Sequence, residues 1–326
     1  MKKLIVFIVI VLTIMLLSGC EWLAGRMPAL LDDPGEAVEE PEPAVPEPAN
    51  PEPAEPTEPE TPEAPDQSAW EQRLATWPMA FGFADSGGRR LIYVTDEYEA
   101  MEEDGFDPAM YTMTIGPYGE IATVAYENVQ EESDQNTWRD SMENFNNLPG
   151  FLYSPADTRF TKNKTYVLAS MGPLMDALIA LSPPGWKGNT PPMAEETIES
   201  IAAYKGRGVE WGKVLANTKK DEGLIGLVLF ERQGNDMLFS IVYMDETKTL
   251  FWDCPAEYDE VSTWRVDTGD GPGLLEPLLL ARFEEGLLLM LTWGSAEGES
   301  ILLLCEEDGA FIETQEVSYG RYWSPF

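Results

Sequence analysis

Histidine is absent from all 326 residues. That gap excludes Ser-His-Asp and Cys-His nucleophilic centres, histidine-ligated zinc and histidine-based pH switching. Cysteine is nearly as scarce: Cys20, Cys254 and Cys305 cannot build a four-cysteine zinc site. Basic residues number 21 against 58 acidic ones, for a net charge of −37. Phosphate-backbone binding depends on Lys and Arg clusters, so nucleic acid is excluded as a partner. The phosphate-cradling runs G-x-x-x-x-G-K-S/T and G-x-G-x-x-G are missing, and Gly206-Arg207-Gly208 is too short for either, which leaves nucleotides unsupported. The S-x-x-K spacing of a serine–lysine centre is also missing. There is no βαβαβ alternation, which argues against a doubly wound fold.

What the chain does carry begins at its N-terminus. Lys2 and Lys3 precede an apolar run from Leu4 to Leu17, which is followed by Ser18-Gly19-Cys20. The run is shorter than the roughly 20 residues that a spanning helix needs. The pattern resembles the signal peptide of bacterial lipoproteins, whose lipobox ends in cysteine. The resemblance covers 1–20 only. It implies cleavage after Gly19, a diacylglyceryl group on Cys20, and a location on the outer, extracytoplasmic face of the cell membrane. It says nothing of the folded domain. An extracytoplasmic location permits a disulfide between Cys254 and Cys305; two buried thiols are the alternative.

Residues 20–31 form a short lipid-anchored start. From Asp32 to Asp66 the chain is almost only Pro, Glu, Ala and Thr, as in Pro51-Glu52-Pro53-Ala54-Glu55-Pro56. Such a segment buries too little apolar surface to offset its ordering entropy. Proline favours polyproline II and the glutamates repel one another. The 35 residues therefore read as a disordered, semi-rigid tether reaching on the order of 100 Å at about 3.1 Å per residue.

Residues 67–326 read as one folded acidic domain, with a possible sub-boundary near 170–208. Setting aside Glu21, the thirteen tether acids, Lys2, Lys3 and Arg26 leaves 44 acids against 18 bases, a charge near −26. The acidity therefore belongs to the folded part and favours solubility and basic partners or cations. Leu91 to Val94 and Thr165 to Ala169 read as strands. Met110 to Ile115 and Ile121 to Tyr126 flank a turn at Gly116-Pro117-Tyr118-Gly119. Trp138, Met142 and Phe145 recur at i, i+4, i+7, which predicts an amphipathic helix over 130–147. Helices are also predicted over Pro173 to Leu181 and Ala194 to Tyr204, the second with its acids early, where they suit the helix dipole.

From Val209 onward, short β-rich runs alternate with clusters such as Gln233-Gly234-Asn235-Asp236 and Glu306 to Gly309, the pattern of antiparallel meanders. The continuous run Leu287-Leu288-Leu289-Met290-Leu291 predicts a strand covered on both faces, by helices or by a second sheet. The expected class is α+β, with antiparallel meanders dominating the C-terminal half and a few helices in the middle. The alternative is a mostly-β chain with two tandem four-stranded meanders.

Three functional readings compete. The first is a non-enzymatic binding or interaction module of the cell envelope, held to the membrane through lipid on Cys20, with a cell-wall or protein partner and no cofactor. The second is a carboxylate-based hydrolase of envelope glycans, with Trp211, Trp252, Trp264 and Trp293 as candidate cleft aromatics. The third is a surface scaffold ordered by calcium. Its metal candidates are Asp267 and Asp270 in Asp267-Thr268-Gly269-Asp270-Gly271, and the acids of Glu102-Glu103-Asp104-Gly105-Phe106-Asp107, although neither matches the EF-hand pattern. Arg265, between Trp264 and Val266, suits a structural pairing with Asp267 or Asp270. Tyr319, Tyr322, Trp323 and Phe326 read as a tail that docks on the domain, with sugar or peptide stacking as the other use.

Overall fold

Ser68 caps the first helix of the folded region. Its hydroxyl accepts from the Glu71 N–H at 3.1 Å, while the Glu71 carboxylate accepts from the Ser68 N–H at 2.7 Å. This reciprocal pair fixes the start of α1 (Ala69–Ala75). In the computed structural model the described residues are 68–184, 190–219, 223–261, 263, 266, 272–315 and 317–323.

Six strands then close a barrel: β1 (Met79–Ala84), β2 (Leu91–Val94), β3 (Met113–Gly116), β4 (Glu120–Gln130), β5 (Gly150–Pro155) and β6 (Thr165–Ala169). Their order is β1-β2-β5-β4-β3-β6, and every pairing is antiparallel, including the closing β1–β6 pair. A short helix α2 (Tyr98–Glu103) lies between β2 and β3. Alternation along the strands sends Leu91, Val124, Phe151, Tyr153, Tyr166 and Leu168 into one cluster, and Phe81, Met113, Ile115, Val167 and Ala169 into another. Gly116 ends β3 where the Tyr166 ring lies against the backbone. A Cβ there would stand 2.2 Å from the ring, so only glycine fits.

After α3 (Pro173–Ala177), β7 (Leu181–Ser182) and α4 (Glu195–Lys205), two meanders follow. The first is β8 (Val209–Thr218), β9 (Leu224–Phe230), β10 (Asp236–Met244) and β11 (Thr249–Glu257), in a sheet ordered β11-β10-β9-β8-β7. The second is β12 (Leu275–Arg282), β13 (Leu287–Gly294), β14 (Gly298–Glu307) and β15 (Ala310–Glu313), with β16 (Gly320–Tyr322) paired to β14. The class is α+β, dominated by antiparallel strands in the C-terminal half.

The second meander is a central layer. Leu287, Leu289, Leu291 and Trp293 point to one face and pack with Leu227, Phe239, Ile241 and Trp252 of the first meander. Leu288 and Met290 point to the other face and pack with Phe81, Met113, Ile115 and Val167 of the barrel. Both parities of β13 are therefore apolar; the cover is a sheet on one side, and on the other the barrel together with Trp70, Leu74 and Leu174 of two short helices. On its outer face the first meander carries α4, whose Ile201 joins Val228, Phe230 and Val242. Gly206 ends α4 in the left-handed conformation at φ 62°, where a side chain would be strained.

Two expectations need correction. Residues 130–147 form no α-helix: β4 runs to Gln130, and only a 3₁₀ turn at Phe145–Asn147 is helical. The helix from Pro173 stops at Ala177, and Leu181 belongs to β7. Ala194 is the N-cap of α4, which runs one residue beyond Tyr204. Cys254 packs toward the space between the meanders and Cys305 toward the barrel, so the central sheet separates them and no disulfide joins them. Among the described residues, no helix is long and apolar enough to cross a membrane.

Candidate functional site

The segment 131–144 leaves the barrel after β4 and is shaped by asparagine rather than by helical hydrogen bonds. Asn144 is buried, and its Nδ2 donates to Asn136 Oδ1 at 2.8 Å and to the Arg139 carbonyl at 2.9 Å. Its Oδ1 accepts from the Thr137 N–H at 3.2 Å, and Asn136 Oδ1 also accepts from the Trp138 N–H at 2.9 Å. Such bonds give the backbone an alternative to the helix ladder. They hold Trp138 at φ 56°, a left-handed conformation rare for a bulky residue, with the side chain 59 % exposed. Backbone held in a sparsely populated region costs on the order of 1–3 kcal/mol and concentrates at working surfaces. The far end of the segment is pinned by Phe145, which packs edge-on against Phe83 at 5.6 Å.

The C-terminal strand completes the ledge. The Asp140 N–H donates to the Tyr322 carbonyl at 2.8 Å, and Asp140 Oδ2 accepts from the Tyr322 N–H at 3.1 Å. Arg139 lies over the Tyr322 ring at 4.3 Å, and Tyr322 is 44 % exposed. Trp323 is half-buried, and its N–H donates to the Glu297 carbonyl at 2.7 Å. Tyr319 stacks on Phe81 at 4.9 Å, and burial pushes its hydroxyl pKa up.

Beneath this surface sits Arg321, 3 % exposed. It donates to Glu299 Oε1 at 2.9 Å, to the carbonyl of Asn163 at 3.1 Å and its Oδ1 at 2.7 Å, and to the Asp140 carbonyl at 2.8 Å. The guanidinium lies 4.1 Å from the Phe83 ring centroid. The Thr165 hydroxyl donates to the same Glu299 oxygen. Burial raises the Asp140 pKa above the usual carboxylate range, against the opposing pull of the Tyr322 N–H and the Arg321 charge. Arg321 thus ties the barrel, the central sheet and the C-terminal strand together, 5.2 Å from the Trp323 ring centroid and bonded to Asp140, which pairs with Tyr322.

The residues singled out for chemistry fall elsewhere. Trp252 and Trp293 are buried in an edge-to-face trio with Phe239, with centroids 5.9–6.1 Å apart, so they are sandwich core and line no cleft. Trp211 is half-buried under Lys213 at 4.7 Å. A groove of about 710 Å³ opens beside Arg207, Met237 and Pro255, where Asp236 and Glu257 stand directly opposite on β10 and β11. Both carboxylates are exposed, whereas a glycosidase's general acid needs a sheltered site to stay protonated.

Asp107 accepts from the Ala109 N–H at 2.9 Å and caps a 3₁₀ turn, which is a structural use. No group of three or more acidic or cysteine side chains among the described residues is placed to hold a metal ion. Cys20, Trp264, Arg265, Asp267, Asp270 and Phe326 lie outside the described residues. Sequence reasoning counted Trp138 as the buried stripe of a helix; the asparagines at 136 and 144 were the signal that it is not. Comparison with protein-family models, curated proteins and solved structures found no match for this chain.

Proposed function

We propose that this chain is a lipid-anchored protein of the extracytoplasmic face of the cell membrane, whose acidic domain works as a binding module of the envelope. The observation that carries the anchor is Leu17-Ser18-Gly19-Cys20 placed behind Lys2-Lys3 and an apolar run, and ahead of a Pro/Glu spacer. Two acyl chains on one cysteine give stable attachment, whereas a single chain gives only marginal attachment. The spacer carries the domain clear of the bilayer. The binding reading is supported by two exposed aromatics, Trp138 and Tyr322, on chain segments joined through Asp140, the first held outward at the expense of local backbone strain.

The test is fractionation of a bacterium expressing the full chain, with a clickable fatty acid in the medium. The wild-type chain is expected in the membrane fraction, labelled, and open to protease added to wall-stripped cells. Cys20→Ser is expected to lose the label and leave the membrane. Equal membrane retention and equal protection of both forms would refute the anchor.

A further inference from the structure

Asn136 draws acidic neighbours to the backbone of exposed Trp138: its Nδ2 donates to Glu132 Oε1 at 3.1 Å, and its Oδ1 accepts from the Trp138 N–H at 2.9 Å and from Asn144, the neighbour of Glu143, at 2.8 Å. Glu131, Glu132, Asp134 and Glu143 are exposed on the same segment, and exposed Glu297 adjoins Trp323 through the bond from the Trp323 N–H to the Glu297 carbonyl, 2.7 Å. The segment's one basic residue, Arg139, lies over Tyr322, 4.3 Å from its centroid. Nearby Arg321 is buried and ion-paired with Glu299 at 2.9 Å. An aromatic face attracts a cation through its ring quadrupole, and a rim of carboxylates adds to that attraction while repelling anionic polymers. An uncharged ligand would gain from the indole but nothing from the rim.

We propose that the Trp138 ledge receives a basic segment of a protein partner, with a lysine or arginine side chain seated on the indole face inside the carboxylate rim. This rests on the reading of the domain as a binding module and names its partner's chemistry. Charge complementarity decides between occupants: the rim disfavours phosphate-bearing polymers and leaves a neutral glycan without charge recognition.

The experiment measures binding of octa-lysine, octa-glutamate and a neutral chitin oligomer to the full chain at physiological salt. The variants are Trp138→Ala, Trp138→Phe, a rim variant (Glu131→Gln, Glu132→Gln, Asp134→Asn, Glu143→Gln) and a control removing four exposed acids elsewhere (Glu99→Gln, Glu102→Gln, Glu103→Gln, Asp104→Asn). Melting curves establish that each is folded. The Pro/Glu spacer attracts octa-lysine equally in every form, so the comparison among variants is the readout.

Octa-lysine affinity is expected to fall about tenfold in Trp138→Ala and in the rim variant. It is expected to persist in Trp138→Phe and in the control, and to weaken with salt. Equal affinity in wild type and Trp138→Ala, or equal loss in rim and control variants, would overturn the inference, because binding would then be diffuse acidity. Trp138-dependent binding of the chitin oligomer without octa-lysine would also overturn it while leaving the binding-module reading intact. No Trp138-dependent binding of any probe would count against both.

Discussion

Replacing Arg321 by methionine removes hydrogen bonds to Glu299, to the carbonyl and Oδ1 of Asn163, to the Asp140 carbonyl and, at 3.4 Å, to the Thr165 hydroxyl, and leaves most of the apolar stem in place. The Arg321 side chain is 1 % exposed and the Glu299 side chain 12 %. Without Arg321, Glu299 keeps only the Thr165 hydroxyl among the described residues, and the carbonyls of Asn163 and Asp140 lose a donor each. Breaking one side of a buried ion pair costs about 3–5 kcal/mol, because the partner charge remains out of water. A domain of this size loses about 2–4 °C of melting midpoint per kcal/mol, so Arg321→Met should melt about 6–20 °C lower. The assay is urea and thermal unfolding of the full chain, followed by the near-ultraviolet signal of its aromatics. Glu299→Gln combined with Arg321→Met removes the stranded charge and should recover a large part of the loss. A loss under about 1 kcal/mol in the single variant would match an exposed pair and refute the account, since it would mean water substitutes for the guanidinium.

Two further outcomes follow from the same region. Asp140→Asn keeps an oxygen for the Tyr322 N–H and removes a charge whose folded pKa is raised by burial. A raised carboxylate disfavours the folded state once both states are ionised, so the variant should melt higher than wild type at pH 7, with the gain closing below about pH 4; a pH-independent difference would contradict this. Trp138→Gly places glycine where φ is 56°. Despite the unfolded chain's added entropy it should stabilise the fold, or leave it within about 1 kcal/mol, while abolishing Trp138-dependent binding; strong destabilisation would show that the indole is structural.

The two meanders were legible along the chain because their causes are local, and the expected anchor and spacer rest on equally local patterns. A lipobox is four consecutive residues. Proline fixes its own φ and, with repelling glutamates, needs no tertiary context. The turns between β8 and β15 are written in Gly, Asn, Asp and Lys, and the unbroken apolar run of β13 announces cover on both faces. Only packing decided what that cover is, since a helix and a sheet bury the same leucines.

The closure of the barrel was not legible, although β2, β3, β4 and β6 were read as strands; β1 and β5 were missed. β1, Met-Ala-Phe-Gly-Phe-Ala, shows no polar alternation, because one side faces the barrel and the other the central sheet or the Phe145 segment. Trp138, Met142 and Phe145 copy a helical period by accident, and Asn136 and Asn144 overrule it by bonding the backbone elsewhere. The floor of the ledge joins Asp140, Asn163, Thr165, Glu299 and Arg321, which lie up to 181 residues apart. The sequence by itself determined that the chain is acidic and largely antiparallel, and it carries the expectation of an anchor and a tether, because those properties rest on composition and nearest neighbours. The tertiary structure alone decided which aromatic stands in solvent and which arginine is buried, because burial is set by chain segments that no local pattern relates.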